Sequence, residues 1–174
     1  MTRWLAIAIL LPASVLFMGN GKQSEAFLIT VHEEASADEA PKFATPVKMG
    51  SEMRQYYFKR VPTFTDRDVA YFYPFISQDG STFGAGLKLT PKATEALKAH
   101  SLTHQGKLLG IRVSNAPYTA VMIDRPVDDG VIVIWQGLAK AHLKAFEKRF
   151  PHVEQVNPGD GNAPPDPTSV SLPR

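Results

Sequence analysis

The chain of 174 residues contains no cysteine. That excludes disulfides, thiolate metal ligands, cysteine nucleophiles and a lipid-bearing N-terminal cysteine, so the fold must be held by burial alone. Charge of one sign is also missing. The formal net charge is +2, and Arg3, Lys22 and Glu25 sit in the first 26 residues, leaving 17 basic and 16 acidic residues beyond them. So balanced a surface gives no basic footprint for phosphate backbones, and nucleic acid is not expected as a partner. The longest apolar run, Leu5 to Met18, is shorter than the roughly 20 residues a membrane-spanning helix needs.

That run follows Arg3 and precedes the small-residue step Ser24-Glu25-Ala26, the layout of a secretory leader. Residues 1–26 are expected to be a signal peptide cut after Ala26, with a periplasmic or secreted product. Membrane association is expected only if the leader is retained. The other end, "NPGDGNAPPDPTSVSLPR" from Asn157, lacks the apolar surface that offsets ordering entropy, and residues 156–174 are expected to be a disordered tail.

Between these ends the patterning alternates short β-branched and aromatic runs with two helical ones. Strands are expected at Phe27–Glu34, at "FATPVKM" (an edge, because Pro46 cannot donate to a ladder) and at Gln55–Val61. Thr65 and Asp68 mark a short helical start. Tyr71–Ser77 and Thr82–Leu89 read as hairpin arms around Asp79-Gly80, which suits a type I′ turn. Thr90 as N-cap and Pro91 at the first helical position open a helix that Gly106 stops. "KLLGIRVS", "YTAVMID" and "VIVIW" follow as strands, with turns at Asn115-Ala116-Pro117 and Asp128-Asp129-Gly130. A second helix over about Leu138–Phe150 places Ala139, Leu143, Phe146 and Phe150 on one buried stripe. This order predicts an α+β fold: a largely antiparallel sheet with two helices packed on one face, residues 27–86 and 87–155 forming one domain.

Catalytic and metal motifs are weak. His32-Glu33 begins like a zinc-protease helix, but Ser36 stands where the second histidine belongs. No G-x-S-x-G elbow surrounds a serine, and the glycines of "FGAGLKL" run along a strand instead of opening a helix. Asp128-Asp129 and Glu33-Glu34 are adjacent carboxylates without a reason for a raised pKa. His100 and His104 share a helix face at chelating spacing, about 60° and 20° from Leu97. Zinc needs three or four ligands and the neighbouring sequence supplies no others, so a ring nitrogen bonded to a backbone carbonyl is the expectation, with no metal or cofactor. Lys140, Lys144 and Lys148 read as the solvated back of the last helix. The aromatic runs "YYF" and "YFYPF" offer either core or a peptide groove, and Tyr56, Tyr57, Tyr71 and Tyr73 are the candidate contact residues.

One resemblance rests on particular residues. "LKLT" at 87–90, Leu97 and Ser101 on the following helix, Gly106-Lys107, Leu109-Gly110-Ile111, Thr119–Ile123, Pro126-Val127-Asp128-Asp129-Gly130 and "VIVIWQGL" together resemble the head of the first periplasmic domain of SecD, a translocase subunit. Here Ser114-Asn115 stands in place of the family's Asp-Gly turn, and Ala120-Val121 in place of its Ala-Pro step. The resemblance implies a non-catalytic module that touches extended polypeptide or a membrane or periplasmic partner protein, without the transmembrane motor. A small hydrolase or a metal-binding protein using His100 and His104 is the alternative.

Overall fold

The structure is a computed structural model, and it describes residues 29–151. The expected leader with its cleavage site and the expected tail lie outside the described residues. The fold is α+β, and every strand pairing is antiparallel.

The strands are β1 (Ile29–Glu33), β2 (Ala44–Met49), β3 (Arg54–Lys59), β4 (Phe64–Thr65), β5 (Val69–Ile76), β6 (Phe83–Leu89), β7 (Leu108–Val113), β8 (Thr119–Met122) and β9 (Val131–Leu138); the helices are α1 (Pro91–Thr103) and α2 (Lys140–Arg149). They divide into three sheets, with strand orders β4-β1-β7-β8, β2-β3 and β5-β6-β9. Both helices lie on the three-stranded sheet, α1 against β6 and α2 against β9.

Period-two alternation builds the core. Ile29 and Val31 on β1 and Leu109, Ile111 and Val113 on β7 face inward, as do Ala85, Leu87 and Leu89 on β6 and Ile132 and Ile134 on β9. Leu97 from α1 and Leu143 and Phe146 from α2 join the same cluster. Burial from the two larger sheets and both helices therefore converges on one apolar centre, which is how a chain without disulfides holds together. A division of the chain at residue 86 cuts β6, and both sides of that point feed this core.

Local chemistry explains the element ends. Thr90 accepts a hydrogen bond from the Ala93 N–H at the start of α1. Thr65 and Asp68 close a capping box around a single 3-10 turn, Asp68 taking the Thr65 N–H at 2.8 Å. Ser101 is buried on α1, and its hydroxyl accepts the Val127 N–H at 2.8 Å, pinning the loop before β9. Arg149 ion-pairs with the buried Asp66, fastening the end of α2 to the turn after β4.

Two expectations change. The β5–β6 turn is not type I′, because the last paired residues are Ile76 and Phe83 and Asp79 has no positive φ. Instead Gly80 alone takes φ +65°, while the Asp79 carboxylate accepts the Ser81 and Thr82 N–H groups at 2.9 and 3.0 Å. Ala139 is exposed, because β9 runs on to Leu138 and leaves Ala139 as the N-terminal cap of α2. Leu143, Phe146 and Phe150 remain as the buried stripe, and Lys140, Lys144 and Lys148 are solvent-facing.

Candidate functional site

Two places gather functional side chains: the face of the three-stranded sheet that points away from the helices, and the seam where the end of β1 meets the last turn of α1.

On the sheet, Tyr71, Tyr73 and Phe75 alternate with Phe72, whose ring lies in the core. Register pairs Tyr73 with Gly86 and Phe75 with Gly84. A methyl group at either glycine would overlap the aromatic ring opposite, so the rings lie across bare backbone. Phe75 then meets Trp135 of β9 edge to face, 6.2 Å between centroids. The result is an aromatic shelf of half-buried Tyr73 and Phe75 ending at Trp135, which is 40% exposed. Burial, with a smaller contribution from the Asp129 charge, raises the Tyr73 phenol pKa.

Of the four tyrosines singled out in the sequence, the structure brings none together as a single groove. Tyr71 is 1% exposed and closed to a ligand. Tyr56 and Tyr57 are half-buried on β3, in the separate two-stranded ribbon. Tyr73 alone sits on the shelf. Phe75, part of the run "YFYPF", joins it there with Trp135, and the alternation Tyr73-x-Phe75 opposite Gly84-x-Gly86 was the sequence signal for this shelf. β2 pairs only with β3 among the described residues, as expected of an edge. Since the Arg60 N–H bonds the Phe43 carbonyl, alternation turns position 46 outward, so Pro46 removes a donor from the open side and blunts it.

The seam is polar. Glu33 closes β1, and its carboxylate takes the Lys59 ammonium at 2.6 Å and the Thr63 hydroxyl at 3.2 Å. His100 Nδ1 stands 3.4 Å from Glu33 Oε1. The His104 ring stacks on that of His100 with centroids 4.0 Å apart, and its Nδ1 bonds the His100 carbonyl at 3.0 Å. The Thr103 hydroxyl also stands 2.9 Å from that nitrogen; a carbonyl only accepts, so the bond to His100 requires the proton on Nδ1. Burial lowers the pKa of His100, with the Glu33 charge acting against it. Burial alone would raise Glu33, but the Lys59 hydrogen bond and the neighbouring charges hold it below the usual carboxylate range.

The expected carbonyl bond is present at His104, and the third group that the local sequence could not supply, Glu33, arrives from the first strand. His32 points elsewhere: its Nδ1 bonds the Lys59 carbonyl at 2.8 Å and its Nε2 the Thr30 hydroxyl at 2.8 Å. This hydroxyl–imidazole–carbonyl chain has the outline of a nucleophile and its base, yet Thr30 is 7% exposed in the middle of a central strand. That burial leaves the hydroxyl little surface to offer a substrate.

No protein-family model matches the chain, and no curated protein matches it. Among solved structures it is similar to one described as a membrane component, SecDF, that enhances protein export, with 16% identity and a TM-score of 0.45 over 71% of this chain and 58% of that one. It is also similar to SecDF in its super-membrane-facing form, again with 16% identity, at a TM-score of 0.47 over 71% of this chain and 18% of that one. The chain thus spans less than two thirds of either.

Proposed function

We propose that the protein is an exported, non-catalytic binding module that holds extended polypeptide against its aromatic shelf. The observation that carries this reading is the run Tyr73–Phe75–Trp135, seated over glycines and ending on an exposed indole. Flat aromatic rings give large contact area at small entropic cost and do not demand one side-chain sequence. The leader-like first 26 residues support export, and the SecD-like motifs from Leu87 support contact with translocating chains or with a membrane or periplasmic partner. The non-catalytic reading is supported by the Thr30 hydroxyl, which bonds the His32 ring but belongs to a residue only 7% exposed.

Strand addition along β2 is the weaker mode, since Pro46 removes a donor there. Tyr56 and Tyr57 therefore act as a flank on the ribbon in this reading, and Tyr73 as a direct contact.

Photo-crosslinking side chains placed at positions 73 and 135, with position 144 on the solvated side of α2 as the control, test the proposal in the exported fraction. Crosslinks to unfolded or translocating polypeptide from 73 and 135, and none from 144, are expected. Equal labelling at all three positions, or none at the shelf, overturns it.

A further inference from the structure

The geometry points to a transition-metal site formed by Glu33, His100 and His104, of the kind that takes Zn2+. One donor atom from each of the three lies within 4.8 Å of the other two. Zinc bonds to nitrogen and oxygen are about 2.0–2.2 Å, so neighbouring donors around a tetrahedral ion stand roughly 3.3 Å apart. His100 Nδ1 and Glu33 Oε1 are already at 3.4 Å. Closing the set needs the His104 donor, already within 4.8 Å of the other two, to move closer.

Three further features suit a cation. In the tautomer that donates Nδ1–H to the His100 carbonyl, His104 has its free lone pair on Nε2, the outer-sphere arrangement that orients a ligating histidine. Burial favours the neutral His100 ring, the form that coordinates. The cluster also stands at the C-terminal turn of α1, the negative end of the helix dipole. Two imidazoles and one carboxylate are borderline donors, which selects zinc-like ions over Mg2+ and Ca2+.

Lys59 makes the site conditional. Its ammonium already neutralises Glu33 through Oε2, so an ion on Oε1 meets a like charge on the far side of the same carboxylate. When bound, the metal joins the end of β1 to the end of α1, elements otherwise linked through the core.

The test uses the tag-free full chain, stripped with a chelator and titrated with Zn2+, with Mg2+ in parallel. One Zn2+ per chain is expected, with a rise in melting temperature that Mg2+ does not reproduce. His104→Ala and Glu33→Gln should each weaken binding by about tenfold or more. His142→Ala should leave it unchanged. Lys59→Met should tighten it severalfold, a gain that misfolding cannot imitate. Failure of the wild-type chain to bind at millimolar Zn2+ overturns the proposal. So does binding that survives both His104→Ala and Glu33→Gln, or that Lys59→Met leaves no tighter.

Discussion

The two larger sheets each rest aromatic rings on glycine, with opposite results. In the four-stranded sheet the rings over Gly110 are Phe58, from the β3 ribbon, and Tyr118, from the turn before β8; they pack at 5.1 Å between centroids. In the three-stranded sheet the rings over Gly86 and Gly84 come from β5, the adjacent strand. Two rings packed on each other close the face over Gly110, and Phe58 ends 1% exposed. A ring delivered from the neighbouring strand lies flat on its own sheet and leaves the outer face open. The same local device thus makes core in one place and surface in the other, and what decides is how much else packs over the ring.

The sharpest way to break this contrast is to remove the rings. Phe58→Ala empties a closed contact and should cost about 3–5 kcal/mol. Phe75→Ala, on the half-buried shelf, should cost about 1 kcal/mol, since less area leaves water there. Chemical denaturation of both variants measures the difference, and equal losses would end the distinction between sealed and open.

Filling the glycines gives a smaller, complementary effect. A methyl at Gly110 would stand 2.6 Å from the Phe58 ring and 2.5 Å from the Tyr118 hydroxyl, and the fully buried Phe58 ring has no open side to move into. Gly110→Ala should cost about 1–3 kcal/mol through overpacking. At Gly86 the obstacle is the outer end of the Tyr73 ring, which can swing toward solvent. Gly86→Ala should therefore cost less than about 1 kcal/mol, and the Tyr73 phenol pKa should fall back as the ring is wetted. Chemical denaturation and a tyrosine titration by NMR check both.

Alkaline pH probes the sealed side again. Burial pushes the Tyr118 hydroxyl up to about 12, well above its ordinary value. The neutral phenol is the form the fold favours, so its contribution is complete below about pH 10 and is lost as pH rises toward 12. Unfolding followed between those limits should show this loss in the wild type. It should shrink in Phe58→Ala, where water reaches Tyr118.

Much of this was legible in the sequence, for reasons that differ by residue. Thr90-Pro91 announced α1 because capping chemistry is local, and Pro46 announced an edge because a missing donor is a property of one residue. Hairpin arms ending at Ser77 and Thr82 set the true register, which already placed Phe75 opposite Gly84. The turn type failed because the Asp79 side chain, rather than a second positive φ, closes that loop. Tyr71 was misplaced because aromatic alternation does not reveal how much of a face is covered. Glu33 went unpaired with His100 and His104 because only the tertiary fold brings the end of the first strand to the end of α1.

The smallest effect on stability sharpens the comparison most. Trp135 sits at the open end of the shelf, and its indole is one of the few large apolar groups left in water. A side chain that packs on one edge only contributes little to folding, so Trp135→Ala should shift stability by no more than about 0.5 kcal/mol. If the shelf is a binding surface, the same substitution should abolish capture of an unfolded polypeptide, measured by crosslinking from position 73. A stable variant that still captures the chain would return Trp135 to the class of ordinary exposed hydrophobics. A variant that unfolds would mean the face is sealed after all, and the contrast with Gly110 would disappear.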